Sequence, residues 1–176
     1  MAAILASCGS PGPTEVSNLD STGILLVAVG ERVQSAPPNE AMAQALSDAL
    51  MQAEANGDDV GYPVIDPVSG ELVLSAATPR GRQLLQAATI AVPHRIRDVT
   101  HGARALRQIQ DDVTFLGARG VADAGLIFMT APDHRDNRTL IVIRAPSRSL
   151  LDYLAAHYPP DALAVQVDPN VGNAGT

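Results

Sequence analysis

The 176-residue chain has no lysine and no tryptophan, and holds one cysteine, two phenylalanines and three tyrosines. Each scarcity excludes something. A single cysteine rules out an internal disulfide framework. All twelve basic residues are arginine, none lies in a basic run, and the net charge is −7. Binding a phosphate backbone calls for clustered positive charge, so nucleic acid is not an expected partner. With so few aromatics, the core must come from Leu, Ile, Val and Ala. The apolar run Ile24-Leu25-Leu26-Val27-Ala28-Val29 is a strand's length, far short of the ~20 residues a membrane-spanning helix needs. G-x-S-x-G, a phosphate loop and a dinucleotide fingerprint are all missing.

What is present suits one domain with a tail, which at this length buries about two-thirds of the surface its unfolded chain exposes. The exclusively arginine basic set, with abundant Ala, Gly, Pro, Val and Asp, points to a GC-rich coding bias. Near the start, Leu5-Ala6-Ser7-Cys8 matches a bacterial lipobox, and a Gly/Ser/Pro/Thr-rich tether runs on to residue 22. Only seven residues precede Cys8, without a positive n-region. Two expectations stand. Either Cys8 carries a lipid and the chain sits in the cell envelope or outside it, or Met1 is the true start and the chain is a cytoplasmic structural or oligomerisation module.

Residues 23–60 read as a strand and a helix. Pro37-Pro38 stops the strand, Asn39 caps the helix, and Met42, Ala45, Leu46, Ala49, Leu50 and Ala53 form its apolar face up to Asn56-Gly57. From residue 61 a pattern begins that the chain makes twice. Tyr62–Ile65 is extended, Asp66–Gly70 is a turn, Leu72–Leu74 is a returning strand, and Thr78-Pro79 opens a helix before the strand His94–Val99. Later, Leu126–Met129, the polar turn Asp133–Arg138, the strand Leu140–Ile143, a Ser147-capped helix and the strand Leu163–Val167 follow in the same order. A helix of about 103–118 joins them, with Leu106, Ile109, Val113 and Leu116 on one face. The expected fold is α+β: two approximate β-β-α-β units over residues 61–169, joined by a helix, with an additional N-terminal helix and a polar tail at 170–176.

The enzyme-like cluster is Asp133-His134-Arg135-Asp136-Asn137-Arg138, where His134 with Asp133 or Asp136 has the residue types of a general base. The same residue types make a solvated hairpin turn. His94 and His101 flank Asp98, but zinc takes three or four protein ligands, so no metal and no cofactor is expected. Asp111 and Asp112 are adjacent on a helix and point about 100° apart, which suits a solvated face rather than a catalytic pair.

The segments Val64-Ile65-Asp66-Pro67, Ser69-Gly70-Glu71-Leu72-Val73-Leu74, His101 to Gln110, Asp133 to Val142 and Ala162 to Pro169 occur in an order that resembles the pro-regions of actinobacterial secreted serine proteases of the alpha-lytic and streptogrisin kind. The resemblance spans about residues 61 to 169. It implies an α+β folding-chaperone module that binds a protease through a sheet edge or C-terminal strand. No Gly-Asp-Ser-Gly-Gly segment occurs, so protease activity is not implied. The expectation is a non-enzymatic module that binds a protein, a secreted serine protease being the partner class the resemblance suggests. Docking is expected along the alternating strand that holds Leu163, Val165 and Val167. The alternative is a small hydrolase or metal-dependent enzyme built on His134.

Overall fold

A computed structural model describes residues 20–29 and 37–171, so Cys8, most of the tether and the end of the tail lie outside the described residues. The elements run β1 (Leu25–Val27), α1 (Glu40–Ala55), β2 (Val60–Ile65), β3 (Leu72–Ala76), α2 (Pro79–Ala87), β4 (His94–Asp98), α3 (Ala103–Thr114), β5 (Ile127–Asp133), β6 (Arg138–Ile143), α4 (Arg148–His157) and β7 (Leu163–Val167). They form two sheets, β2-β3-β4 and β1-β7-β6-β5.

Local sequence accounts for the helix starts. Asn39 accepts from the Met42 amide, Thr78 from Gly81 and Ser147 from Leu150, each satisfying an amide that the first turn leaves orphaned. Pro79 occupies a position where its missing N–H costs nothing.

The duplication is topological. β2 pairs antiparallel with β3, and β3 pairs parallel with β4 through the α2 crossover. β5, β6 and β7 repeat this through α4. The first strand of each unit carries a register irregularity, between Gly61 and Val64 and between Ile127 and Met129. The two hairpin turns match as well. Asp66 and Asp133 open them by accepting backbone amides, from Val68 and Ser69 in one and from Asp136 in the other. Gly70 (φ 71°) and Asn137 (φ 53°) close them in the left-handed region, which glycine and asparagine tolerate best.

The units also reach further back than the sequence pattern suggested. α1 packs on β2 and β3 as α3 packs on β5 and β6. The joining helix is thus the first element of the second unit, and α1 is its counterpart in the first. One core unites both. Leu106, Ile109 and Val113 of α3 meet Leu72, Leu74, Ile141, Ile143, Leu150, Leu154, Leu163 and Val165, and α1 adds Met42, Ala49 and Ala53. Burying each of the larger side chains contributes roughly 1.5–3 kcal/mol. Thr139, fully buried on β6, donates to the Leu106 carbonyl at 3.0 Å and satisfies its hydroxyl inside this core.

One expectation needs correction. The strand bearing Leu163, Val165 and Val167 is not a sheet edge: β7 pairs with β6 on one side and in parallel with β1 on the other, Leu25 opposite Ala164. Leu163 and Val165 face the core. β7 reads as half-buried because alanine and glutamine interrupt its large apolar residues, but Ala164 is buried too.

Candidate functional site

The turn singled out for chemistry, Asp133–Arg138, is the clamp between the two units. Arg97 on β4 stands opposite Ser75 on β3. Its guanidinium donates to Ser75 Oγ at 3.0 Å, to the Arg135 carbonyl at 2.6 Å and to the His134 carbonyl at 2.5 Å. Burial lowers the Arg97 pKa, and neighbouring Arg95 adds to this, while Asp136 and Asp133 oppose it. Asn137 completes the clamp: its Nδ2 donates to the His101 carbonyl at 2.9 Å, and its Oδ1 accepts from the His101 amide at 3.0 Å.

His134 is where a catalytic base was considered, and its surroundings are those of a packing residue. Its ring stacks on Tyr62 of β2, with centroids 4.7 Å apart and planes at 22°. Nε2 is sealed from solvent without a hydrogen-bond partner. Burial first, and the Arg97 charge second, push its pKa down, so the ring is neutral at pH 7. Asp133 is buried beside it, and both Asp133 and Asp136 act electrostatically on Arg97. The three residues are together in one turn, with Asp133 and His134 turned inward and Asp136 exposed at the cavity.

A cavity of about 270 Å³ opens beside this clamp, lined among others by Arg97, His101, Arg135, Arg138 and Asp161. Several of its polar groups are engaged elsewhere in the fold. Arg138 donates to the Pro160 and Leu163 carbonyls. His101 Nε2 lies 3.2 Å from Asp161 Oδ2, near enough for an ion pair when the ring is protonated but off the line a hydrogen bond requires. Asp98, the carboxylate between His94 and His101, pairs instead with Arg82 at 2.7 Å. Among the described residues no three His, Cys, Asp or Glu side chains gather in a metal-binding group.

The second candidate is a surface that sequence reading missed. β5 is the outer strand of its sheet, and the strand equivalent to it, β2, is largely buried. On β5, Phe128 and Met129 are each 45% exposed, and Phe115, at the end of α3, is 59% exposed. The Thr114 and Thr130 hydroxyls, 3.0 Å apart, tie that end of α3 to β5. Half of the six large exposed hydrophobics among the described residues therefore lie on β5 or at the end of α3 tied to it. Arg144, just past β6, lies over the Phe128 ring at 5.3 Å from its centroid. The signal for this surface lay in Phe115 and Phe128, the only phenylalanines of the chain.

Comparison with known proteins adds no relative: no protein-family model matches the chain, and no curated protein matches it.

Proposed function

We propose that this chain is a non-enzymatic, exported and lipid-anchored module that binds a protein partner by seating an extended segment along the edge of β5. The observation that carries this reading is the β5 edge, which among the described residues pairs with no strand beyond β6, with Phe128 and Met129 exposed on it and Phe115 at the adjoining end of α3. An open edge offers a row of backbone donors and acceptors, and exposed apolar side chains beside it provide pockets for alternate residues of an added strand. Export and anchoring rest on the lipobox-like Leu5-Ala6-Ser7-Cys8 and the tether after it. The pro-region resemblance makes a secreted serine protease the first partner class to try.

The test is titration calorimetry of the purified chain against secreted serine proteases of the alpha-lytic and streptogrisin kind. Micromolar or tighter binding is expected, lost in Met129→Arg, which places a charge on the edge. Absence of binding to every such protease removes that partner class. Binding undisturbed by Met129→Arg removes β5 as the docking strand. For the anchor, labelled lipid incorporated by the native chain in a bacterial host and not by Cys8→Ser is the expected result.

A further inference from the structure

We infer that the segment seated on β5 is a short apolar strand carrying a carboxylate, which meets Arg144. The inference rests on the β5 docking reading above and adds the chemistry of the occupant.

The arginines of the chain are mostly spoken for. Seven of those described hold a carboxylate within ion-pair distance. Arg97 and Arg138 give their N–H groups to backbone carbonyls. Arg135 is exposed, but it stands on the clamp turn at the cavity rather than beside the apolar edge. Arg144 is exposed and its contact is with the Phe128 ring. A guanidinium resting on an aromatic face is pre-positioned and keeps its planar fork of donors for a carboxylate. The edge strand thus presents exposed apolar side chains, with one cation over the Phe128 ring.

The strand also sets where its occupant finds backbone donors. Pro132 has no N–H to offer an incoming backbone, so the donors of this edge lie before it, within Ile127–Ala131. A second copy of this chain fits poorly. Its own β5 reads Ile-Phe-Met-Thr-Ala over that stretch, without an acid to meet Arg144. An acidic, apolar segment of another protein satisfies both the apolar side chains and the cation.

Three ten-residue peptides test this by fluorescence anisotropy. They share an alternating valine–threonine core and differ only at one flanking position, which is glutamate, glutamine or lysine. The glutamate peptide should bind about fivefold more tightly than the lysine peptide, the upper range for an exposed ion pair. The preference should shrink with added salt and disappear in Arg144→Gln. Equal binding of all three peptides to the native chain overturns the acid preference and leaves β5 docking standing. Binding of the peptides by Met129→Arg as tight as by the native chain overturns β5 as the site. Failure of all three to bind overturns both readings. Circular dichroism spectra matching the native chain confirm that Arg144→Gln and Met129→Arg remain folded.

Discussion

Replacing Asn137 tests the clamp most directly, because that one side chain makes three separable contributions. It holds a left-handed backbone at φ 53°, donates to the His101 carbonyl and accepts from the His101 amide, while only 8% exposed. Asn137→Gly removes both hydrogen bonds and keeps the backbone comfortable. At about 1 kcal/mol of net stability per bond, it should cost about 2 kcal/mol. Asn137→Ala removes the same bonds and adds the left-handed penalty for a residue with a Cβ, about 1 kcal/mol more, for a total of about 3 kcal/mol. Asn137→Asp keeps the acceptor but turns a carboxylate oxygen toward the His101 carbonyl, so it should fall below Asn137→Gly at pH 7. Urea unfolding at pH 7, followed by circular dichroism, gives the order. If Asn137→Ala is as stable as Asn137→Gly, the backbone argument fails. If both lie within about 0.5 kcal/mol of the native chain, the clamp does not join the units as described.

Three further outcomes follow from the same structure. Gly81→Ala should destabilise by at least about 1–3 kcal/mol although alanine is the better helix former, because its Cβ would sit 1.8 Å from the Asp59 carbonyl oxygen. Gly117→Ala, with open space around it, should be neutral or better, and thermal melts compare the two. Asp66 titrates at about 2, below its usual 3.8, because the Val68 amide and then Arg95 favour its charged form. Its contribution is therefore complete above about pH 4 and lost as pH falls toward 2, and Asp66→Asn should flatten acid unfolding in that window. His134 is held below its usual 6.5 by burial and by Arg97, so the unfolded chain takes up its proton first and stability falls as pH drops below 6.5. His134→Phe, which retains a ring against Tyr62, should remove that portion of the pH dependence in urea titrations.

How much of this was legible in the sequence depended on the range of the interaction. The caps at Asn39, Thr78 and Ser147 bond amides three residues away, and the sequence named all three. The α+β class and the repeated hairpin, crossover and strand followed from turns and periodicity that are equally local. Longer reach was not visible. Nothing near Leu25–Val27 says that its partner is Ala164–Gln166, so β7 read as an edge. β5 was expected over Leu126–Met129, but Thr130, Ala131 and Pro132 continue it, because pairing with Thr139 to Ile141 holds a stretch that its own residues do not mark as a strand. At the site, the Asp and Asn of the second turn were legible as turn formers. That Asn137 reaches the His101 backbone, and that His134 meets Tyr62, depends on how one unit lies on the other.

The parallel pairing of β1 with β7 has a mechanical consequence. Because the two strands run the same way, the chain enters β1 at one end of the sheet and leaves β7 at the other. Tension applied at Asp20 and Val171 therefore pulls the neighbouring strands past each other lengthwise. Their hydrogen bonds share the load together instead of opening one by one. A module held at Asp20 and pulled at Val171 would resist in shear, with the three residues of β1 as its latch.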